Sequence, residues 1–265
     1  MSDALHHHFA ELGSTNDELT RLAAAGAPSG TAVSADRQHA GRGRRGHTWE
    51  SLAGSHVFLS VLHRSRLPLA ELSGLTLEVG LVVSEVLEGL GFVVALEWPN
   101  DLLVAGKKVG GVLCEAVDDG RGGSAVVIGV GLNVDVSALP DALADRATAL
   151  RAHGPVERDA LLAALIAALR RGAEAYELRR APRTDAWAAR AVTIGQRVQE
   201  VVATAPQSSR DGAGREPPSA RVGLVTGIAR DGALLLLWDG SSEVERVFAG
   251  ELTALHPLST DSHPE

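Results

Sequence analysis

The chain has 265 residues, a formal net charge of −8, 45% hydrophobic content and one cysteine. This length allows one large domain with a small appendage and ample apolar material for a core. The composition excludes an internal disulfide, its negative charge argues against extended DNA binding, and no apolar run of about 18 residues is present to span a bilayer. We therefore expect a cytoplasmic protein with no membrane or DNA partner and no protein-bound metal.

The first predicted helix starts at Thr15-Asn16-Asp17-Glu18, a capping-box pattern in which Thr15 is the expected N-cap. The preceding His6-His7-His8 is expected to be a solvated entry segment rather than a metal ligand. Two interpretations of Ser14 and Thr15 stay open. They can simply cap the helix, or the hydroxyls and spare N–H groups of the helix start can bind a polar, uncharged ligand.

A basic, glycine-rich loop lies between strands predicted at 31–35 and 56–62. It contains the run Gly41-Arg42-Gly43-Arg44-Arg45-Gly46, and residues 36–66 hold six arginines against two acidic residues, a balance of +4. Arginine offers a planar set of donors to anions, and glycine lets backbone N–H groups approach them. The run also fits G-x-G-x-x-G, but no apolar helical repeat follows it, so we reject dinucleotide binding. We therefore expect the loop to close on a small anionic ligand, and a solvated loop or a nucleic-acid patch is the alternative.

The central part of the chain alternates strands with two long helices. Apolar residues three or four apart predict helices over 72–90 and 161–176. A strand over 92–96 leads into Trp98-Pro99-Asn100-Asp101, strands over 102–105 and 108–117 predict a hairpin about Gly106-Lys107, and 125–130 reads as a buried strand. Because strands outnumber helices and adjoin as hairpins, we predict an α+β fold with a mixed sheet flanked by helices.

Short strands at 192–202, 220–228, 233–238 and 243–247 predict a small C-terminal β-barrel. Residues 205–219 are rich in Pro, Gly, Ser and Arg, which is typical of a mobile loop. We expect a frayed tail from His256 onward. The predicted division is a catalytic domain over 1–187, a C-terminal domain over 188–258 and a tail over 259–265.

Five motifs in fixed order make the sequence resemble the biotin protein ligases. They are Ser14-Thr15-Asn16, Gln38 to Gly46 with Trp49, Trp98 to Asp101, Lys108 to Gly111, and Gly129 to Asn133. One position departs from the family pattern, because Glu97 stands where the family usually has lysine. The resemblance implies a catalytic fold similar to class II aminoacyl-tRNA synthetases and an SH3-like C-terminal barrel. The chain before Ser14 is expected to be too short for the N-terminal helix-turn-helix of some members.

The resemblance implies a reaction in two steps. Biotin and ATP, with Mg²⁺, give biotinyl-5′-adenylate, and a lysine of a biotin carboxyl carrier domain then attacks the acyl carbon. Lys108 would bridge the biotin carboxylate and the α-phosphate, Arg42 and Arg45 would hold carboxylate and phosphate oxygens, and Arg44 with Asp101 would close the loop over the adenylate. The implied biotin-binding residues are Ser14, Thr15, Asn16, Gln38, Gly41, Arg42, Gly110 and Gly111. The implied ATP-binding residues are Arg44, Arg45, Trp49, Asn100, Lys108 and Asn133.

Simpler roles for these residues, and rival functions for the chain, are also compatible with parts of the pattern. Lys108 could be a solvated strand lysine, Trp49 an ordinary core residue, and Cys114 is expected to be core. Lipoate or octanoate attachment on the same fold is the first rival, and the Gly-Arg-Gly-Arg-Arg-Gly loop favours biotin. A biotin-sensing repressor would need a DNA-binding segment, and a pure binding module would not need Lys108 and Asp101 at their motif positions.

Overall fold

The structure is a computed structural model that describes residues 5–43, 56–117, 124–135, 143–200, 221–248 and, for the backbone, 252–254. The chain divides into two compact units. Unit 1 comprises Met1–Ala191 with Arg230–Gly232, and unit 2 comprises Val192–Ala229 with Ala233–Glu265. In the part of the chain that the structure describes, none of the helices combines the length and apolar character needed to cross a membrane.

Unit 1 is built on one seven-stranded sheet, with strand order β1-β2-β3-β7-β6-β5-β4. β1 runs parallel to β2, and the other neighbouring strands of the sheet are antiparallel. The predicted mixed sheet flanked by helices is therefore confirmed. Its elements are β1 His6–Leu12, α1 Thr15–Ala24, β2 Ala32–Gln38, β3 His56–Ser65, α2 Leu75–Gly89, β4 Val94–Glu97, β5 Asp101–Val104, β6 Lys107–Val117, β7 Ser124–Asn133, α3 Arg158–Arg179 and α4 Thr184–Ala188, with 3-10 turns at Leu69–Leu72 and Leu150–Ala152.

One face of the sheet packs against α1. Leu19 and Ala23 of this helix share a fully buried apolar cluster with Val33, Leu62 and Val127 from three strands. Because side chains alternate along a strand, every second residue counted from these three also points toward the α1 face. This alternation determines which of the motif side chains lie on the same face of the sheet and can contact each other. Separately, α3 packs against α2 and β3, which gives the sheet its helical cover.

Unit 2 contains a five-stranded antiparallel sheet, with strand order β11-β10-β9-β8-β12. Its strands are β8 Arg197–Glu200, β9 Val222–Ile228, β10 Leu234–Trp238, β11 Val244–Val247 and β12 Leu252–Ala254. Buried Val198, Val225, Leu234, Leu236 and Trp238 form its core. β8 starts five residues later than the strand predicted from Val192, and β12 was not predicted. The loop expected at 205–219 and the tail lie outside the described residues.

The structure assigns the N-terminal histidines to a strand and corrects the expected cap of α1. His6 to His8 lie in strand β1, paired with β2, and His7 and His8 are exposed, in agreement with the solvated segment expected there. His6 Nε2 and His8 Nδ1 both hydrogen-bond Ser34 Oγ, at 2.8 and 2.9 Å. The N-cap of α1 is Ser14, not Thr15, and no side-chain cap bond forms. The Thr15 hydroxyl is instead placed 2.8 Å from Ser60 Oγ.

The β5–β6 hairpin also turns one residue earlier than predicted. Ala105 and Gly106, rather than Gly106 and Lys107, occupy the loop, with φ angles of 50° and 75°. Positive φ at both central residues is the conformation that a two-residue hairpin turn needs. Lys107 is consequently the first residue of β6.

Candidate active site

Several of the motif residues meet on the α1 face of the sheet around a floor of glycines. Gly129 and Gly131 share this face with Val127, and Gly111 is the register partner of Gly131. Asp101 is in turn the register partner of Gly111. Neither strand contributes a side chain where Gly111 and Gly131 face each other, so the backbone there can approach a ligand closely.

A β-bulge in β6 brings Lys108 onto the same face. Leu102 pairs with Gly110 but Leu103 pairs with Lys108, so one extra residue, Val109, is inserted. Without the bulge, residues 108 and 111 would point to opposite sides of the sheet, because three positions separate them. With it, Lys108 Nζ lies 2.7 Å from Asp101 Oδ2. The two residues that the sequence placed at the chemical centre are therefore an ion pair.

The backbone of Lys108 is fixed from its other side by a short segment that precedes the 3-10 turn at Leu150–Ala152. Its N–H donates to the carbonyl oxygen of Arg146 at 2.9 Å, and its own carbonyl oxygen accepts from the N–H of Thr148 at 2.8 Å. Asn133 Nδ2 donates to the carbonyl oxygen of Thr148 at 3.0 Å. These bonds hold the start of β6 where the β7 ladder has ended, which restricts the positions that the Lys108 side chain can reach.

The residues expected to bind biotin form a buried polar network at the start of α1. The Thr15 N–H donates to Gln38 Oε1 at 2.6 Å, and Ser60 Oγ lies 2.5 Å from Asn16 Oδ1. Ser14, Thr15, Asn16 and Gln38 are each less than a tenth exposed. Ser60, on the same face as the glycine floor, was missed in the sequence. Its signal was a hydroxyl in the middle of an otherwise apolar strand.

Glu115 joins this network to the arginine loop. Its Oε2 accepts from Asn16 Nδ2 at 2.6 Å and from an Arg42 guanidinium nitrogen at 3.0 Å. Asp17 Oδ1 lies 2.6 Å from the same Arg42 nitrogen. Glu115 and Asp17 were not predicted as site residues. Glu115 lies on the face of β6 that Gly111 and Leu113 define, and its charge within the apolar part of the strand that follows Lys108 was the available signal.

The side chains of the two asparagines expected to hold adenine are hydrogen-bonded to backbone carbonyl oxygens. Asn100 Nδ2 donates to the carbonyl oxygen of Val112 at 2.9 Å, and Asn133 Nδ2 donates to the carbonyl oxygen of Thr148. Gly110 has a packing role, because a Cβ there would lie 2.4 Å from Leu132 Cδ2 and 2.6 Å from the Gly131 carbonyl oxygen. Gly111, on the α1 face, is the better candidate for close ligand approach. Ligand contacts of all these residues stay predictions.

The structure describes the predicted arginine loop only as far as residue 43. Gly41 is buried and Arg42 is exposed, whereas Arg44, Arg45 and Trp49 lie outside the described residues. The predicted contact between Arg44 and Asp101 therefore stays a prediction. In the described part of the chain, Asp101 is paired with Lys108.

Two other ionisable groups near the site have perturbed pKa values. Glu97 is exposed, yet desolvation by the surrounding protein raises its pKa, Asp101 raises it further, and Lys108 acts in the opposite direction. Burial raises the pKa of the Cys114 thiol to about 12. Cys114 is half-buried rather than fully in the core, but its thiol stays protonated and is therefore a poor nucleophile.

The fold and this site define a mixed-sheet protein in which cationic side chains and a floor of glycines share one face, an arrangement that suits a small anionic ligand. A family model described as the biotin/lipoate A/B protein ligase family matches residues 10–133. The biotin–[acetyl-CoA-carboxylase] ligase of Paracoccus denitrificans is 32% identical over 240 residues, which cover 86% of this chain and 92% of that protein. The chain therefore belongs to the biotin protein ligase family.

Two further similarities agree with this assignment. The bifunctional ligase/repressor BirA of Bacillus subtilis is 40% identical over 142 residues, 52% of this chain and 44% of that protein, so the chain spans less than half the length of that relative. A solved biotin protein ligase from Aquifex aeolicus, in complex with biotin and ATP, superimposes with a TM-score of 0.75 at 25% identity, covering 95% of this chain and 99% of that one.

Proposed function

We propose that the protein activates biotin as biotinyl-5′-adenylate with ATP and transfers the biotinyl group to a lysine of a biotin carboxyl carrier domain. The observation that carries the proposal is the position of Lys108. A bulge turns it onto the face that also holds the glycine floor and Asp101. A cation preorganised beside an open stretch of backbone is what a reaction between a carboxylate and a phosphate requires. The membership of the chain in the biotin protein ligase family supports the same reaction.

Lys108 and Arg42 would act on charge that develops in the first step. When the biotin carboxylate attacks the α-phosphorus, negative charge grows on the phosphate oxygens and pyrophosphate leaves. A fixed cation near those oxygens stabilises this transition state more than the ground state. The backbone of Lys108 is held by its hydrogen bonds, so only the side chain has to turn from Asp101 to the phosphate. In the second step the acceptor lysine attacks the acyl carbon and AMP leaves.

The buried network at the start of α1 suits the uncharged end of biotin. Hydroxyl and amide groups of Ser14, Thr15 and Asn16 lie together there, and each can hydrogen-bond a ureido group without carrying a charge. Mg²⁺ would enter with the triphosphate. Across the residues that the structure describes, no group of three or more His, Cys, Asp or Glu side chains could hold a metal ion, so phosphate oxygens and water would supply most of its ligands.

The finer parts of the assignment are proposals of the same kind. We place the catalytic fold with class II aminoacyl-tRNA synthetases and the sheet of unit 2 with SH3-like modules, because the family resemblance implies both. The domain limits 1–187 and 188–258 and a cytoplasmic location stay predictions.

One assay tests the function. The purified protein is incubated with biotin, ATP, Mg²⁺ and a biotin carboxyl carrier domain, and the acceptor is analysed by mass spectrometry for biotin on one lysine. Parallel reactions with lipoate or octanoate distinguish the rival substrates. Biotin transfer that needs ATP supports the proposal, whereas transfer of lipoate or octanoate in preference to biotin would contradict it.

A further inference from the structure

Arg42 is held by two carboxylates of different character. Asp17 lies at the first turn of α1 with 57% of its side chain exposed, and its Oδ1 is 2.6 Å from the guanidinium. Glu115 lies in β6 with 29% of its side chain exposed, and it is 3.0 Å from the same nitrogen. Both carboxylates therefore neutralise a cation that the proposed reaction needs for a substrate anion.

The second partner of each carboxylate distinguishes them. Glu115 Oε2 also accepts a 2.6 Å hydrogen bond from Asn16 Nδ2, and Asn16 Oδ1 lies 2.5 Å from Ser60 Oγ. Removal of the Glu115 carboxylate would leave the Asn16 amide without this acceptor and would free the network at the start of α1. Asp17 has a single described contact within the site, its ion pair with Arg42.

We propose that Glu115 is a positioning residue that fixes Asn16 and Arg42 relative to each other, whereas Asp17 is a counter-ion that competes with the substrate anion for Arg42. This inference rests on the proposed function, since it takes the biotin carboxylate as that anion. It gives the two carboxylates opposite effects. Loss of Glu115 weakens biotin binding, and loss of the Asp17 charge strengthens it.

The magnitudes follow from exposure. An exposed ion pair contributes up to about 1 kcal/mol, so Asp17→Asn is expected to lower the biotin Kd by about two- to fivefold. Glu115→Ala removes charge-assisted hydrogen bonds and is expected to raise the Kd by about ten- to a hundredfold. In Glu115→Gln an amide oxygen can take the place of Oε2 and accept from both donors, so most of the affinity is expected to return.

The chain offers a matched control for Asp17. Glu18 is its neighbour on the same helical turn and forms an ion pair with Arg21 at 2.6 Å, on the exposed side of α1. Glu18→Gln therefore removes the same charge from the same turn without touching Arg42. Its biotin Kd is expected to stay within about twofold of the wild type. A general electrostatic effect of α1 would instead change both variants equally.

The experiment measures binding of biotin and of biotinol, its uncharged alcohol, by isothermal titration calorimetry to the wild type, Asp17→Asn, Glu18→Gln, Glu115→Ala and Glu115→Gln. The gain in Asp17→Asn is expected for biotin and not for biotinol, because the alcohol does not compete for Arg42. The loss in Glu115→Ala is expected for both ligands, since Asn16 is displaced in either case.

Specific results would overturn the inference. Equal biotin affinity of Asp17→Asn and Glu18→Gln, or a gain that persists with biotinol, would remove Asp17 as a competitor. Wild-type affinity in Glu115→Ala would remove Glu115 as a positioning residue. If Glu115→Ala does not fold, Glu115→Gln decides, because a loss of affinity there of about tenfold or more contradicts the rescue. If the wild type binds no biotin, the proposed function fails first and this inference fails with it.

Discussion

The substitution Gly129→Ala probes the contact between the sheet and the buried network most directly. Gly129 lies in β7 opposite Ser60. A Cβ at this position would be 2.4 Å from Asn16 Oδ1 and 3.0 Å from both Cγ and Nδ2. A separation of 2.4 Å is far inside van der Waals contact. The Asn16 side chain is short and bonded at both ends, so it cannot move aside without breaking those bonds.

The expected cost is the loss of the bonds that Asn16 makes. The contact of Oδ1 with Ser60 is between neutral groups and is worth about 1 kcal/mol, whereas the bond of Nδ2 to Glu115 is charge-assisted and is worth about 1.5–3 kcal/mol. Gly129→Ala is therefore expected to destabilise unit 1 by about 2.5–4 kcal/mol. Biotin affinity should fall with it, because the same side chain is expected to contact the ligand.

A double-mutant cycle isolates this cause. In Asn16→Ala the obstructing side chain is absent, so Gly129→Ala should cost less than about 0.5 kcal/mol on that background. Urea unfolding monitored by circular dichroism measures the four proteins. Gly13→Ala is the control, because its Cβ would meet only His39 Nε2, at 3.8 Å. An equal cost of Gly129→Ala with and without Asn16 would refute the assigned contact.

Three further predictions concern charge. Lys108→Ala should slow pyrophosphate release in adenylate formation by about 10²–10³-fold, whereas Lys107→Ala, whose Nζ donates to the Ala144 carbonyl oxygen, should stay within a few-fold of wild type. Glu97→Lys should lower the KM for ATP by about two- to tenfold, since a carboxylate beside Lys108 repels phosphate; an unchanged or higher KM would contradict this. Burial lowers the pKa of His56 to about 4, below its ordinary 6.5. The contribution of neutral His56 to the free energy of unfolding is therefore complete above pH 6.5 and is lost as the pH falls toward 4, by up to about 3 kcal/mol. Between pH 7.5 and pH 4.5, the free energy of unfolding measured with urea should fall less in His56→Leu than in the wild type.

The parts of the fold that local patterns determine were predictable from the sequence. The helix over Leu75–Gly89 and the helix over Arg158–Arg179 follow from apolar residues three or four apart. The β5–β6 hairpin and the strand over Ser124–Asn133 follow from short apolar runs bounded by turn residues. Each of these patterns reports on neighbours within a few positions, and their combination predicted the mixed sheet.

Long-range pairing was not predictable in the same way. β1 looks polar in the sequence because it begins with three histidines. Its position depends on parallel pairing with β2, and His6 and His8 hydrogen-bond Ser34, 28 and 26 positions away. Ser60 and Glu115 became site residues only because the sheet brings β3 and β6 to either side of β7. The bulge at Val109 is also invisible in the sequence, since a local insertion in the ladder depends on the partner strand.

The ion pairs of the site determine how a ligand anion can gain affinity. Lys108 and Arg42 are already paired with carboxylates, so an incoming phosphate or carboxylate exchanges one ionic contact for another. Such an exchange contributes little net free energy at partly exposed positions. When Lys108 leaves Asp101, and until another cation takes its place, the like charges of Asp101 and its register partner Glu97 repel each other. In the proposed reaction this repulsion would oppose release of Lys108 to the phosphate, so Glu97 would limit the charge available for catalysis. Recognition of the neutral biotin ring would then fall to the buried network around Asn16.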